Sequence, residues 1–390
     1  MRFIWFFLTW TAIVALGYWY VGRRVVPALS HYSLSQPVWW LVVMILCVMP
    51  LAGFYLLLQR QEGLWLDVLL YAGYVSLGLF ALLVTAFLIK DTIGLSHTLI
   101  AKLFTAGENS VDPSRRLFLT QSVNLGVAAV CSAVAGYGFY EAHRRATVEA
   151  IDIPLDKLPD EFDGFRIVQF SDLHVGPTIK RGFVERVVRQ VNELKPDLIA
   201  FTGDLVDGSV SWLREDVAPL TELTAPHGVF FITGNHEYYS GAESWCKEAS
   251  RLGFDVLLNE HRLINYKNRQ IVLAGVTDYS ASAMIPNHVS DPKRSIEDAP
   301  DNLVKILLAH QPKSVEAAHA AGFHLQLSGH THGGQFFPGN LLAAAGQPYL
   351  KGLHRHENMW VYVNRGTGYW GPPLRLGSGP EITIITLRKA

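Results

Sequence analysis

The sequence predicts an α/β sandwich, two sheets flanked by helices, that follows an all-α transmembrane region. Most of the excess of apolar residues lies before residue 141, in runs long enough to cross a bilayer. From about residue 151, short apolar runs alternate with segments of helical periodicity, and the chain ends in β structure. We therefore expect a transmembrane region at 1–140, a connector at 141–150 and a folded domain at 151–390.

About four apolar stretches are predicted to span a membrane, which takes about 20 mostly apolar residues. Trp and Tyr lie near several of their ends, as is typical of the membrane–water interface. The fourth stretch is the least apolar, because it is rich in Gly, Ala and Ser. The predicted spans are Phe3–Val21, Val38–Leu58, Leu64–Ile89 and Leu117–Tyr140.

The basic residues predict that the carboxyl-terminal domain lies outside the cytoplasm, since cytoplasmic loops carry an excess of Lys and Arg. With the domain outside, the inner loops carry six such residues and the outer loops carry four. The inner set is Arg23, Arg24, Lys90, Lys102, Arg115 and Arg116, and the outer set is Arg2, Arg60, Arg144 and Arg145.

The segment Ser114–Thr120, Ser-Arg-Arg-Leu-Phe-Leu-Thr, also resembles a twin-arginine export signal, although it is internal rather than amino-terminal. An ordinary basic anchor at the inner face explains the same pair of arginines. Both interpretations place the domain on the periplasmic side of a bacterial cytoplasmic membrane.

Composition excludes two other classes of protein. The 390-residue chain has a formal net charge of −1, so it lacks the strongly basic face that nucleic-acid-binding proteins use, and we expect no nucleic acid as a partner. Cys47 and Cys131 lie in apolar segments and Cys246 is isolated, so we expect packing residues rather than a disulfide framework.

After the connector, short buried runs predict strands, and apolar residues recurring every three to four positions predict helices. The predicted strands are Ile151–Leu155, Phe165–Phe170, Leu198–Phe201, Val229–Ile232, Ile271–Val276, Ile306–Leu308, Leu325–Leu327, Trp360–Asn364 and Ile382–Leu387. The predicted helices are Phe183–Leu194, Ala242–Leu252 and Val315–Ala321.

Five of these strands are followed at once by residues that bind metal ions. Ligands collect outside the carboxyl ends of strands in open α/β sheets, so we expect these side chains to share one site. The site is rich in carboxylate, amide and imidazole groups and has no thiolate. The motifs are Asp172-Leu173-His174, Gly203-Asp204-Leu205-Val206-Asp207, Gly234-Asn235-His236-Glu237, His310 and Gly329-His330-Thr331-His332.

This set of ligands indicates a hydrolase with two metal ions. In phosphoester hydrolysis, two divalent ions about 3.5–4 Å apart stabilise the phosphoryl oxygens and generate a hydroxide nucleophile. Hard ions such as Mn²⁺ take carboxylate, amide oxygen and imidazole ligands. To hold the ions that close, one carboxylate should bridge them. A lone His is more commonly structural, so the interpretation depends on the cluster as a whole.

Residues 165–388 resemble the calcineurin-like metallophosphoesterases, because all five motifs occur here in that family's order. The similarity is closest to the membrane-anchored bacterial branch, through Gly329–Gln335 and Gly366–Pro373. The resemblance implies a four-layer α/β/β/α fold. It also implies that Asp172, His174 and His332 hold one metal, that Asn235, His310 and His330 hold the second, and that Asp204 bridges them.

The resemblance gives His236 a different role: it protonates the leaving oxygen or stabilises the developing charge, which imidazole suits near neutral pH. Purple acid phosphatases place a Tyr three residues after the bridging Asp, where it binds ferric iron. This chain has Asp207 there. We therefore expect two divalent ions, with Mn²⁺ as first choice and Fe or Zn²⁺ as alternatives.

Other polar residues near the motifs have less specific interpretations. Asp207 and Glu237 are expected to orient ligands or shape loops. His354-Arg355-His356 is expected on a surface loop. A further set lines a substrate pocket, where Arg suits phosphate, or packs within the fold. That set is Tyr238, Tyr239, Asn364, Arg365 and Arg375.

We expect a membrane-anchored, metal-dependent phosphoesterase, and the anchor favours a lipid-linked phosphoester as substrate. One anchored branch of the family cleaves the pyrophosphate of UDP-2,3-diacylglucosamine at the cytoplasmic face, which the expected topology disfavours. The other alternative is a non-catalytic membrane protein with a phosphoesterase-like binding domain. No ligand position is missing, and Asp67 is the one acidic or basic residue within the predicted spans, which disfavours a transport role.

Overall fold

The computed structural model describes residues 2–31, 33–104 and 112–390. The chain divides into two compact units. One comprises Met1–Tyr140 with Gly371–Leu374, and the other comprises Glu141–Trp370 with Arg375–Ala390. Cys47, Cys131 and Cys246 are free thiols.

Four long helices make up most of the first unit: α1 (Arg2–Ser30), α2 (Gln36–Leu58), α3 (Leu64–Phe104) and α4 (Pro113–His143). Within the described residues, three stretches are long and apolar enough to cross a membrane, and they are Gln36–Leu58, Leu64–Ile100 and Pro113–His143. The first predicted span, Phe3–Val21, is helical but does not belong to these three.

Helix α3 continues well past Ile89, the predicted end of its span, so Lys90 and Asp91 also lie inside the helix. Asp91 forms an ion pair with Arg24 of α1 and accepts a hydrogen bond from the Tyr20 hydroxyl at 2.7 Å. Within the candidate span Leu64–Ile100, Lys90 and Asp91 are therefore charged residues in addition to Asp67. Pairing with Arg24 reduces the cost of placing Asp91 in such a segment.

The second unit is built from twelve strands and six helices within the described residues. The strands are β1 (Thr147–Leu155), β2 (Arg166–Phe170), β3 (Leu198–Phe201), β4 (Val229–Phe231), β5 (Asp255–Val256), β6 (Glu260–Tyr266), β7 (Arg269–Gly275), β8 (Lys305–Leu308), β9 (Leu325–Ser328), β10 (Gly352–His356), β11 (Met359–Val363) and β12 (Glu381–Lys389). The helices are α5 (Arg181–Glu193), α6 (Val210–Val217), α7 (Asn235–Ser240), α8 (Ala242–Arg251), α9 (Val315–Ala320) and α10 (Gly339–Gly346).

The strands form two six-stranded sheets, in the orders β1-β12-β2-β3-β4-β5 and β10-β11-β9-β8-β7-β6. One apolar core joins the facing surfaces of both sheets and includes Ile167 of β2 and Ile306 of β8. A second core packs the first sheet against α5, α6 and α8, and a third packs the other sheet against α9. The layer order is therefore α/β/β/α, and the predicted fold is confirmed.

Parallel pairing places the ligand-bearing strand ends together. Strands β2, β3 and β4 are parallel neighbours in one sheet, and β7, β8 and β9 are parallel neighbours in the other. The carboxyl ends of parallel neighbours lie at one edge, so loops from both sheets can converge there.

Several predicted elements differ from the structure. The predicted surface loop His354-Arg355-His356 is part of the edge strand β10, which pairs antiparallel with β11. An edge strand can expose polar residues to water, so its polar composition resembles that of a surface loop. The predicted connector 141–150 shrinks to residues 144–146, since α4 ends at His143 and β1 begins at Thr147. Strands β5 and β6 and helices α6, α7 and α10 were not predicted.

Candidate metal centre

The loops that follow five strands carry the predicted site residues to one place. Asp172 and His174 follow β2, Asp204 follows β3, and Asn235 and His236 begin α7 after β4. From the other sheet, His310 follows β8, and His330 and His332 follow β9. Among the described residues, three groups of side chains each bring their metal-binding atoms close together. All three groups consist of the residues named above, together with Asp207.

The first group is Asp172, His174 and His332, all buried. Nε2 of His174 lies 3.1 Å from Nε2 of His332. Nε2 of His332 lies 3.5 Å from Oδ1 of Asp172. Three donor atoms facing one another at these distances can surround a single ion.

The second group is Asp204, His310 and His330. Nε2 of His310 lies 3.1 Å from Oδ2 of Asp204 and 3.2 Å from Nδ1 of His330. On its other side, His310 places Nδ1 2.7 Å from the carbonyl oxygen of Thr202. A hydrogen bond to that carbonyl fixes a proton on Nδ1 and turns Nε2 into the group, where a metal ion would take the place of a second proton.

Asp204 joins the two groups. Its Oδ2 atom, 3.1 Å from His310, is also 3.8 Å from Nε2 of His174 in the first group. Its other oxygen, Oδ1, accepts the backbone N–H of His236 at 2.9 Å. That hydrogen bond fixes the carboxylate with Oδ2 between the groups.

Asn235 supplies an amide oxygen without a protein partner. The residue is buried, and its Oδ1 makes no hydrogen bond within the described structure. A buried polar atom of this kind costs free energy unless something satisfies it. A hard cation beside the second group would do so.

The backbone is strained where the ligands lie. Five of the predicted ligands have positive φ angles, in the left-handed region that non-glycine residues rarely adopt. They are Asp172 (φ 55°), His174 (φ 52°), Asp204 (φ 58°), His330 (φ 73°) and His332 (φ 50°). Strain concentrated in this way is typical of a functional site.

Comparison with known proteins agrees with this geometry. Residues 165–334 match the family of calcineurin-like phosphoesterases. A Danio rerio protein described as a transmembrane protein with metallophosphoesterase domain is 34% identical over 399 residues, which cover 99% of this chain and 89% of that protein. The chain belongs to the calcineurin-like phosphoesterases.

Relatives of this phosphoesterase occur in vertebrates and in bacteria. A Bos taurus protein with the same description is 33% identical over 97% of this chain and 88% of its own length. An uncharacterized metallophosphoesterase of Helicobacter pylori strain ATCC 700392 is 37% identical over 70% of this chain and 72% of its own length. The protein is thus a membrane protein with a metal-dependent phosphoesterase domain.

The electrostatics of the phosphoesterase site keep three predicted ligands in the form that binds metal. Burial lowers the pKa of His330 to about 3 and that of His332 well below its usual value, so both imidazoles are neutral and keep their lone pairs. Burial opposes ionisation of Asp204, but the neighbouring His310 and His236 outweigh it and hold the pKa of Asp204 well below its usual range. Neutral imidazole and ionised carboxylate are the forms that bind metal. Burial raises the pKa of Asp172 instead, and the carboxylate of Asp204 outweighs burial and raises the pKa of His310 well above its usual value.

His236 has a different environment from the predicted ligands. Its Nδ1 is hydrogen bonded to Oδ1 of Asp207. Burial alone would lower the pKa of His236, but the carboxylates of Asp207 and Asp204 raise it to about 9. The imidazole therefore carries a proton near neutral pH, as a proton donor requires.

Glu237 shapes the loops that carry two predicted ligands. Its carboxylate accepts the backbone N–H groups of Gly234 at 2.6 Å, Leu205 at 2.7 Å and Asp204 at 3.0 Å. It thereby ties the loop after β3 to the loop after β4. This is the loop-shaping contact expected of it.

Two of the five residues suggested for a substrate pocket, Arg375 and Asn364, do not line one. Arg375 is fully buried, and its guanidinium donates to backbone carbonyls, among them those of Gly368 at 2.9 Å and Ser378 at 3.0 Å. Asn364 is also fully buried and donates to Thr383. Enclosure within the fold leaves neither side chain accessible to a substrate.

Tyr238 and Arg365, two more of the five residues suggested for a substrate pocket, also have partners inside the domain. The Tyr238 hydroxyl lies 2.9 Å from Nδ1 of His288. Arg365 forms ion pairs with Glu381 and Glu149. These contacts favour the packing interpretation for both residues.

Exposed aromatic rings lie next to His236. Tyr239 is 63% exposed, and its ring centroid is 5.1 Å from that of His236 in an edge-on arrangement. Trp370 is 56% exposed and lies 5.6 Å from the same ring. Trp370 belongs to the segment Gly366–Pro373 that resembles the family, but its position beside His236 was not predicted, because the two residues are far apart in the sequence.

Proposed function

We propose that the protein hydrolyses phosphoesters at a dinuclear metal centre. Asp172, His174 and His332 would hold one ion, and Asp204 would bridge to a second. Asn235, His310 and His330 would complete the second ion's ligands. The observation that carries this proposal is the position of Oδ2 of Asp204, 3.8 Å from His174 and 3.1 Å from His310.

The donor set fits divalent ions of the harder kind. It consists of carboxylate oxygen, amide oxygen and imidazole nitrogen, and the unsatisfied Oδ1 of Asn235 supplies the amide. Asp207, at the position where a Tyr would favour ferric iron, hydrogen bonds to His236 instead. We propose Mn²⁺ as the preferred ion, with Fe or Zn²⁺ as alternatives.

When bound, two such ions would stabilise negative charge on the phosphoryl oxygens and activate a water molecule. The protein contributes the proton. Asp207 holds Nδ1 of His236, so the ring's other nitrogen, Nε2, is the atom available to protonate the leaving oxygen. Tyr239 and Trp370 flank the same ring and are placed to contact the leaving group.

We further propose that the substrate is lipid-linked and that the domain lies on the outer face of the membrane. The membrane-spanning helices support the first point, since they confine the domain near lipid. The second is supported by the six-to-four distribution of basic residues between the inner and outer loops. For a bacterial host this means the periplasmic face of the cytoplasmic membrane.

The activity test uses the full-length protein in detergent with Mn²⁺ and p-nitrophenyl phosphomonoesters and phosphodiesters. We expect turnover that falls by about 10²–10⁴-fold in His236→Ala. A matched control is His319→Ala, which changes a histidine of α9 outside the three groups. The proposal would be overturned if none of Mn²⁺, Fe²⁺ and Zn²⁺ supported turnover. Equal activity in the His236→Ala and His319→Ala variants would overturn it as well.

Orientation is tested separately in a bacterial host. A phosphatase reporter fused after Ala390 should be active only if exported, and a fluorescent reporter that folds only in the cytoplasm should stay dark. The reverse pattern would show that the domain faces the cytoplasm.

A further inference from the structure

The chain between the last metal motif and β10 is an exposed apolar segment. Helix α10 has no buried residue. Leu341 is 58% exposed and Leu342 is 78% exposed, and Phe337 in the preceding turn is also exposed. Residues 333–350 contain no Asp, Glu, Lys or Arg. Exposed large apolar side chains grouped in a segment without charged residues make this segment a candidate site of interaction.

Both ends of this segment are attached to the candidate centre. At its start, Gln335 donates to the carbonyl of Trp370 at 2.9 Å and accepts the N–H of Trp370 at 3.1 Å. Trp370 is the residue whose ring lies beside His236. The segment therefore begins next to the group that we assign as proton donor.

The far end is attached in the same way. Gln347 donates a hydrogen bond to Oε1 of Gln311 at 3.1 Å, and Gln311 directly follows the predicted ligand His310. The carbonyl of Leu350 accepts a hydrogen bond from the Thr331 hydroxyl, between His330 and His332, at 2.5 Å. With both ends held, the apolar tip has a defined position beside the site.

The membrane is the partner that this chain itself provides. Only residues 144–146 separate α4, which ends at His143, from β1, which begins at Thr147. Three extended residues reach about 10 Å, so the domain is covalently tied to a membrane-spanning helix by a short connection. A bilayer is therefore permanently available to an apolar tip on this domain.

Charge at the edge of the segment fits the same partner. Lys313 and Lys351 are both exposed. The backbone N–H of Lys313 donates to Gln347, and Lys351 is the first charged residue after the uncharged stretch. Exposed Leu side chains flanked by lysines are typical of surfaces that insert among lipid headgroups, where cations meet phosphate.

We propose that residues 337–346, which we term the lip, insert Leu341 and Leu342 into the bilayer next to the metal centre. This interaction surface is distinct from the spanning helices. If the proposed function is correct, the lip also defines the substrate class, because it brings the phosphoester of a lipid headgroup to the ring of His236.

The test measures the environment of the lip in the full-length protein. A single cysteine replaces Leu342 in a background with Cys47→Ala, Cys131→Ala and Cys246→Ala, and it is labelled with the fluorophore NBD. The protein is placed in nanodiscs of phosphatidylcholine and phosphatidylglycerol, with and without doxyl-labelled acyl chains. Glu316→Cys is the matched control, because that side chain on α9 is 81% exposed.

We expect blue-shifted NBD emission at position 342 that doxyl lipids quench, and water-like, unquenched emission at position 316. Water-like emission at 342 would overturn the proposal. Blue-shifted emission that doxyl lipids do not quench would also overturn it, since a second copy of the chain or another part of the protein would then cover the lip. The readout requires no catalysis, so p-nitrophenyl ester turnover by the same protein tests the proposed function independently.

Discussion

Asp207 holds the imidazole of His236 by a hydrogen bond to Nδ1. Despite its burial, the pKa of Asp207 lies below its usual value because His236 and His174 are close, so the carboxylate is ionised and Nδ1 is the donor. The same carboxylate lies 3.3 Å from Nδ1 of His174. Asp207 therefore orients the proposed proton donor and also lies beside one proposed ligand.

Asp207→Asn should lower kcat by about 10–100-fold, because an amide orients the imidazole poorly and no longer stabilises its protonated form. The measurement is kcat on a p-nitrophenyl ester at saturating Mn²⁺. Since Asp207 acts through His236, the double variant with His236→Ala should be no slower than His236→Ala alone. Two fully additive effects would contradict this relationship.

Metal stoichiometry should depend on which ligand is removed. If Asp204 bridges, Asp204→Ala should weaken both sites, whereas His332→Ala and His310→Ala should each weaken one. Elemental analysis of purified, buffer-exchanged protein should give two ions per chain for the wild type, one for each histidine variant and fewer than one for Asp204→Ala. Equal losses in all three variants would argue against a bridge.

Metal removal should destabilise the phosphoesterase domain, because most of the ligands are buried and five of them have strained backbone conformations. Binding to the folded state alone stabilises a protein by about 2.7 kcal/mol at a ligand concentration of 100 times Kd. We expect a chelator to abolish turnover and lower the thermal midpoint followed by circular dichroism, and added Mn²⁺ to reverse both effects. A thermal midpoint that does not change when the chelator is added would contradict this prediction.

Gly329→Ala should disturb Asp172 directly. A Cβ atom at position 329 would lie 2.1 Å from Oγ of Ser171 and 2.5 Å from Oδ2 of Asp172. Because both atoms are buried, the carboxylate must move, and a ligand displaced by about 1 Å can reduce activity about 10²-fold. The measurement is Mn²⁺ affinity and kcat. Gly136→Ala in α4 is the control, since its Cβ would meet no atom within 4 Å outside its own helix.

Arg375→Met should destabilise the domain by about 3 kcal/mol or more. The guanidinium donates to several buried carbonyls, and each carbonyl left without a partner costs about 1–3 kcal/mol. It also lies 3.2 Å from Nδ1 of His332, so Mn²⁺ affinity should fall as well. Arg355→Met, which changes an exposed residue of β10, should leave the free energy of unfolding, measured by urea denaturation, within about 0.5 kcal/mol of the wild-type value.

Local patterns account for much of the fold and of the candidate site. The strands that precede Asp172, Asp204, His310 and His330 are short apolar runs, and such runs are recognisable wherever both faces of a strand are buried. Strands β6 and β10 escaped prediction because one face of each meets water and their composition is polar. Helix α10 escaped because it is short and buries no residue, so no periodic pattern of core-facing residues marks it as a helix.

The residue types at the site were readable from the chain, because Asp, Asn and His bind metal ions and here come directly after short apolar strands. The contacts that surround these residues could not be predicted from the sequence. The enclosure of Arg375 by carbonyls, the contact of Trp370 with His236, and the placement of Oδ2 of Asp204 between two groups join residues distant in sequence. Such contacts depend on how two sheets and their loops pack, and packing is a property of the whole tertiary structure rather than of any local segment.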